Sequence, residues 1–232
     1  MDHFNASSFK SLRIKETPFR NLMQKRIFNV LLIATPYDAF MMEEDGRVEE
    51  QIYFEYANLN LSSPPRFTKV ANYEEAYPRL SEHQFDLIIA MPGVDVSETF
   101  EQAKRIDALY PQIPFVVLTP FSHEVSRRLA SEDLSGVAYV FSWLGNVELI
   151  LAIIKLIEDR MNTPQDVGET GVRSIMLRED SVRFYSSMLP HLYKYRLKQS
   201  LLFSTEALND HERMLRMRGR PKIVLARNYE EA

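Results

Sequence analysis

Cysteine is absent from the 232-residue chain, and its absence removes several classes of function at once. Without thiols the chain can form no disulfide framework, no thiolate zinc site and no cysteine nucleophile. The five histidines do not fill this gap, because none has a partner at a spacing typical of metal ligands. The sequence therefore predicts neither thiol chemistry nor a histidine-based metal centre.

Glycine is scarce as well, and the seven glycines are scattered along the chain. A loop that cradles phosphate groups needs clustered glycines ahead of a helix, and the sequence contains no such cluster. The Gly-x-Ser-x-Gly elbow of serine hydrolases is also missing. We therefore expect a protein that is not an enzyme and that holds no cofactor.

Long apolar runs are the third thing the sequence lacks. No run approaches the roughly 20 residues that a membrane-spanning helix needs. The first sixteen residues have no apolar stretch of the kind found in a signal peptide. The formal net charge is −4, so the chain as a whole is not suited to polyanions. These features predict a cytoplasmic protein that binds neither membrane nor nucleic acid.

What the sequence does contain is a regular alternation of short apolar runs and amphipathic stretches. The apolar runs predict strands at 28–34, 66–71, 86–91, 114–119 and 138–141. Helical stretches separate them, with a break predicted at Asp45-Gly46 and helix caps predicted at Asn72 and Asn146. Such alternation indicates an α/β fold, a doubly wound five-stranded parallel sheet with helices on both faces.

The chain divides by composition into four parts. We predict an N-terminal arm and helix at 1–24, an α/β domain at 25–161, a polar linker at 162–172 and a second unit at 173–232. The second unit resembles a restart of the first, because KVANYEEA at 69–76 is echoed by IVLARNYEEA at 223–232. It is therefore predicted to be the first β-α-β part of a second domain of the same kind.

This order of elements resembles the receiver domains of two-component response regulators, over 25–161 and in part over 173–232. Thr119 ends the fourth strand as the receiver's hydroxyl residue does, and Tyr139 stands where receivers place an aromatic switch residue. The Met-Pro-Gly sequence at 91–93 matches the loop that follows the third strand of receivers. The resemblance implies a signalling module, of the kind that takes part in phosphorelays.

The residues that carry receiver chemistry are replaced in the first domain. Receivers hold Mg²⁺ with an acidic pair, phosphorylate an aspartate and neutralise the phosphoryl group with a lysine. In this chain the positions of the acidic pair are occupied by Ala34 and Thr35, the acceptor position by Met91 and the lysine position by Ser142. Of the receiver's reactive residues only Thr119 is retained. The pattern indicates a pseudo-receiver, whose switch residue Tyr139 and the nearby Trp143 are predicted to serve protein interaction.

The acceptor position depends on the alignment used. Counting five residues from Asp86 gives Met91, whereas alignment on the Met-Pro-Gly loop gives Ala90, and neither side chain can accept a phosphoryl group. Asp38 and Asp95 are the nearest carboxylates, and both are interpreted as solvated caps in first turns or loops.

The second unit keeps one acidic pair. Glu179 and Asp180 follow its first strand, as in receivers, although acidic residues at that point also favour the start of a helix. A magnesium site is expected only in an intact second receiver. The run FSWLGNVELILAIIKLIED, with the unit that follows it, resembles the N-terminal regulatory region of phosphoenolpyruvate synthase-like bacterial proteins. The catalytic part of such a protein lies downstream.

Two features leave alternatives open. The segment RMRGRPK at 216–222 resembles the minor-groove motif of a DNA-binding regulator, but Gly219 and Pro221 also suit an ordinary helix end. The stretch 181–218 predicts a long helix, kinked or split at Pro190, that packs on its own unit or joins a bundle. Because two strands cannot complete a sheet, we expect a homodimer through 173–232.

Overall fold

The computed structural model describes residues 21–44, 48–59, 61, 63–93, 96–120, 132–143, 145–204 and 218–227. In chain order the strands are β1 (Asn29–Ile33), β2 (Arg66–Val70), β3 (Leu87–Ala90), β4 (Phe115–Pro120), β5 (Tyr139–Trp143), β6 (Ser174–Arg178) and β7 (Lys222–Ala226). The helices are α1 (Pro36–Glu44), α2 (Val48–Asn58), α3 (Tyr73–Glu82), α4 (Val96–Leu109), α5 (Val147–Thr163) and α6 (Val182–Ser204). The helix predicted at 122–131 lies outside the described residues.

The first five strands form one parallel sheet in the order β2-β1-β3-β4-β5. This is the order of flavodoxin-like doubly wound sheets, in which the chain winds first to one side of β1 and then to the other. The predicted α/β class and five-stranded parallel sheet are thereby confirmed. The predicted caps are also present, since the side chains of Asn72 and Asn146 accept hydrogen bonds from the amides of Glu75 and Glu148 at 2.9 and 2.8 Å.

Alternate strand residues point to opposite faces of the sheet, so each strand contributes to two cores. One face packs against α3 and α4 and includes Val117 of β4, which is completely buried. The other face packs against α2 and α5 and includes Val116. Residues 115–118 are all buried, as expected for a central strand of a parallel sheet.

Helix α5 is buried on nearly every side. Its residues from Leu149 to Asp159 are all buried. A helix that is apolar all round needs cover on both its inner and its outer side. Here the five-stranded sheet supplies the inner cover, and α6 and β7 pack on α5 from outside.

The second unit is a β-α-β element. Its strands β6 and β7 run parallel, in register from Ser174↔Lys222 to Arg178↔Ala226. The connecting helix α6 continues through Pro190, so of the two predicted effects of this proline, a kink or a split, the split does not occur. Helix α6 packs on α5 and β5, and its face with Tyr185, Leu189, Tyr193 and Leu197 is thus covered within the same chain.

The segments at either end of the first domain differ from their predictions. Most of the predicted arm and helix at 1–24, residues 1–20, lies outside the described residues. Residues 22–28 are irregular rather than helical. In the predicted linker 162–172, α5 continues into a π-helical turn at Pro164–Glu169. Gly171 follows this turn with a φ of 74°. Asp166 in this turn is completely buried, so these residues belong to the folded core rather than to a flexible connection.

Candidate functional site

The carboxyl edge of the five-stranded sheet brings the predicted receiver positions together. Ile33 is in register with Ala90, and the amide of Met91 donates to the carbonyl of Ile33 at 2.8 Å. On the other side Thr119 lies beside Ser142. This edge is where ligands of flavodoxin-like folds bind.

The side chains at this edge cap a helix or pack in the core. Thr35 caps α1, because its Oγ1 accepts from the Asp38 amide at 3.2 Å and donates to the Asp38 carboxylate at 2.7 Å. Ala34 and Met91 are buried members of the core on the α5 side. Among the described residues no three acidic or histidine side chains are grouped so as to hold a metal ion. Asp95 lies outside the described residues.

Thr119 and Ser142 are buried, whereas Trp143 is half-buried and packs against the core on the α5 side. The amide of Ser142 donates to the hydroxyl of Ser186 in α6 at 2.9 Å. The hydroxyl of Tyr185, one residue earlier, donates to the carbonyl of Val140. The end of β5 is therefore held by α6 of the second unit.

Tyr139, at the aromatic switch position, is buried beneath the second unit. Its hydroxyl donates to the carbonyl of Leu225 in β7 at 3.3 Å. The guanidinium groups of Arg160 and Arg227 lie 5.3 and 5.5 Å from the centre of its ring. The residue predicted for interaction thus contacts β7 of its own chain.

Six charged side chains are buried along α5, its π-helical continuation and the start of β7, and we call them the buried ionic cluster. Three are basic and three acidic: Lys155, Glu158, Asp159, Asp166, Arg220 and Lys222. Asp159 is at its centre. Its carboxylate pairs with Arg220 at 2.7 Å and accepts from the Tyr193 hydroxyl and the Ile223 amide, both at 3.0 Å. One side chain of α5 therefore binds both α6 and the start of β7.

Asp166 makes the second cross-link. Its carboxylate pairs with the ammonium group of Lys222 at 2.9 Å and accepts from the amide of Met23 at 3.1 Å. Lys222 donates in addition to the carbonyl of Arg218 at 2.9 Å. The π-helical turn is consequently tied both to β7 and to the irregular segment ahead of β1.

Glu158 and Asn162, both in α5, bind the same irregular segment ahead of β1. Glu158 pairs with Lys155 at 2.8 Å and accepts from the Ile27 amide at 3.1 Å. Asn162 accepts from the Lys25 amide at 2.9 Å and donates to the Lys25 carbonyl. A single face of α5 and its continuation therefore holds the N-terminal segment with three polar side chains.

The charges in the cluster balance one another. Burial, the largest single influence, acts to lower the pKa of Arg220, but the charge and hydrogen bond of Asp159, together with Tyr193 and Glu158, outweigh burial and raise that pKa. Burial, with the neighbouring charge of Arg220, lowers the pKa of Lys222 despite its pairing with Asp166. Burial and the charge of Asp159 raise the pKa of Tyr193 well above its ordinary value, so the phenol stays a neutral donor.

The segment 216–222, which resembles a minor-groove DNA-binding motif, supplies two members of this cluster. Arg220 and Lys222 are buried and paired with Asp159 and Asp166, and so cannot reach a phosphate backbone in this conformation. A minor-groove motif needs its arginines extended into solvent. The burial of these two residues counts against the DNA-binding alternative.

We therefore expect no specific DNA binding. Fluorescence anisotropy with an A·T-rich duplex at moderate salt should show no saturable complex, because Arg220 and Lys222 are already paired with Asp159 and Asp166. The opposite result would be tight, steeply salt-dependent binding that Arg218→Ala abolishes without changing thermal unfolding.

The acidic pair of the second unit lies directly after β6. The amide of Glu179 donates to the carbonyl of Ala226, and its carboxylate accepts from the Ser181 amide at 3.0 Å. Asp180 is exposed. In the described residues the pair helps to start α6, and no third acidic ligand completes a metal site there.

Sequence reasoning missed the ionic cluster, although a signal was present. Lys155, Glu158 and Asp159 interrupt the otherwise apolar run LILAIIKLIED, and an apolar helix seldom carries three charges unless they are paired. Lys155 and Glu158 pair with each other, but Arg220, the partner of Asp159, lies 61 positions further along the chain, and only the fold brings it near.

Comparison with known proteins gives little beyond the fold. No protein family matches the chain by sequence, and no curated protein matches it significantly. A crystal structure from Burkholderia pseudomallei, described as that of a pilus assembly-related protein, aligns at 15% identity over 57% of this chain and 90% of its own, with a TM-score of 0.37. The class defined by the sheet order is thus a flavodoxin-like α/β protein. No helix of the described residues is long and apolar enough to cross a bilayer.

Proposed function

We propose that the chain is a non-catalytic regulatory module, a pseudo-receiver that acts through protein–protein contacts and not through aspartyl phosphorylation. One observation carries the proposal. The carboxyl edge of the sheet presents a helix cap at Thr35 and a buried apolar side chain at Met91, where receivers place carboxylates. Without an acceptor no acyl phosphate can form, and the described residues group no set of oxygen ligands of the kind that Mg²⁺ needs.

The arrangement of β5 supports a mode of action. The switch position Tyr139 is covered by β7, and the end of β5 is bonded to α6. We propose that the second unit binds the first permanently, so that the pair acts as one rigid input module. Such a module would regulate a larger phosphoenolpyruvate synthase-like protein in the cytoplasm. Magnesium would be held only in a complete second receiver, at Glu179 and Asp180.

Protein partners are part of this proposal. A folded domain that catalyses no reaction regulates through the proteins it binds. The proposed contact surface is the region 173–232, with its exposed helix face. A second copy of the chain is one of the proposed partners. Nucleic acid is not proposed as a partner because Arg220 and Lys222 are committed to internal ion pairs.

The test is phosphorylation itself. Incubation of the full chain with acetyl phosphate and Mg²⁺ should leave its intact mass unchanged, since no aspartate stands at the acceptor position. A receiver with an intact aspartate, treated in parallel, serves as the control for the reagent. A hydroxylamine-sensitive phosphoryl adduct that maps to residues 25–161 would overturn the proposal.

A further inference from the structure

Residues 22–28, which we call the strap, lie along one face of α5 and its π-helical continuation. Alternate amides of the strap donate to side chains of that face, at distances between 2.9 and 3.1 Å. The pairs are Met23 with Asp166, Lys25 with Asn162, and Ile27 with Glu158. Two residues of extended chain advance about 6.6 Å and four residues of helix about 6 Å, so the two spacings match. The strap is therefore fixed along its length, in the opposite direction to the helix.

Of these three acceptors, Asp166 also binds the second unit. The ammonium group of Lys222 in β7 lies 2.9 Å from Oδ2 of Asp166, the same oxygen that accepts from the Met23 amide. The other oxygen, Oδ1, is buried and has no hydrogen-bond partner in the part of the chain that the structure describes. The buried charge of Asp166 therefore depends on two donors, one from the strap and one from β7.

These two contacts should strengthen each other. Asp166, Met23 and Lys222 are all buried, and a hydrogen bond to a charge is stronger in such surroundings than in water. If β7 withdraws, water reaches Asp166 and the bond to the strap weakens. If the strap withdraws, the ion pair with Lys222 becomes exposed, and an exposed ion pair contributes little.

We propose that the strap and β7 form a coupled latch, in which Asp166 transmits the loss of either contact to the other. A partner that draws the strap away from α5 then loosens β7, and a partner that holds the strap in place tightens β7. The coupling is reciprocal, as any coupling between two binding equilibria must be. The latch goes beyond the proposed function, because it requires only the contacts of Asp166 and makes no use of the receiver positions.

Native-state hydrogen exchange of the full chain, followed by NMR, tests the latch from the side of β7. Lys222→Met removes the ammonium group from Asp166 and should speed exchange at the amides of Met23 and Lys25 at least about tenfold. The matched control is Lys194→Met, which breaks a different ion pair between the second unit and α5, that with Glu148. This control should leave the two strap amides within about twofold of their wild-type rates.

The reverse experiment loosens the strap and observes β7. Asn162→Ala removes both hydrogen bonds between α5 and the backbone of Lys25. Exchange should become faster at the amides of Lys222 and Glu179, which donate across the β6–β7 pair. The reference is the amide of Ile88 in β3, which donates to a carbonyl at the start of β4 and should keep its wild-type rate.

Three results overturn the inference. The first is wild-type exchange at Met23 and Lys25 in the Lys222→Met protein. The second is wild-type exchange at Lys222 and Glu179 in the Asn162→Ala protein. The third is acceleration of Ile88 to the same extent as the reporter amides in both variants, because the response is then a general loss of stability and is not transmitted by Asp166.

Discussion

Replacement of Asp159 by alanine is expected to lower the free energy of unfolding by about 3–5 kcal/mol, a large part of a domain's total stability. The change removes the partner of a buried guanidinium and leaves Arg220 charged in the core. It also removes the acceptor used by Tyr193 and by the amide of Ile223. The second unit should therefore detach or unfold first.

Urea denaturation followed by tryptophan fluorescence suits this measurement, because the single tryptophan, Trp143, lies at the end of β5 beside α6. Glu169→Ala is the matched control, since this carboxylate is exposed in the same region and should have an effect near zero. The double variant Asp159→Leu with Arg220→Met should recover much of the loss, because it removes both charges together. Equal stability of Asp159→Ala and wild type would mean that the ion pair does not hold the two units.

Introduction of aspartate at Val117 should prevent folding of the first domain. Val117 is completely buried in β4, between the neighbouring strands β3 and β5, and among the described residues no buried cation lies on its side of the sheet to pair with a new carboxylate. An unpaired buried charge costs several kcal/mol or forces protonation. Circular dichroism and one-dimensional proton NMR should show loss of the native fold.

The control for this variant is Arg66→Asp, in the edge strand β2, where the side chain is exposed. That change should keep the fold and shift the melting temperature by only a few degrees. A Val117→Asp protein with native spectra and a nearly normal melting temperature would show that β4 is not central to the core.

The sequence predicts the first domain well because its signals are local. Apolar runs locate the five strands, Asn72 and Asn146 cap their helices, and the break near Gly46 separates α1 from α2. Each depends on residues within a few positions of one another. The alternation of strands and helices predicts a doubly wound fold, but the strand order β2-β1-β3-β4-β5 comes from the structure.

The contact between the units could not be predicted in the same way. Residues 162–172 are polar, so their composition indicates a linker, but Asp166 is buried because Lys222 neutralises it. In the long helix Tyr195 and Leu202 are exposed whereas Tyr193 is buried, although all three are large apolar residues. Which face of α6 turns inward depends on α5, and periodicity alone does not identify the partner.

Hydrogen exchange of the full chain, with and without Mg²⁺ and beryllofluoride, tests the central claim most directly. The account predicts slow exchange at the amides of Met23 and Ile223, which bind buried carboxylates, and identical exchange in both samples throughout the sheet. Two results would contradict it: reagent-dependent protection at 34–35 and 90–93, which means a working phosphoryl site, or exchange of β7 as fast as in unstructured chain, which means that the second unit does not bind the first.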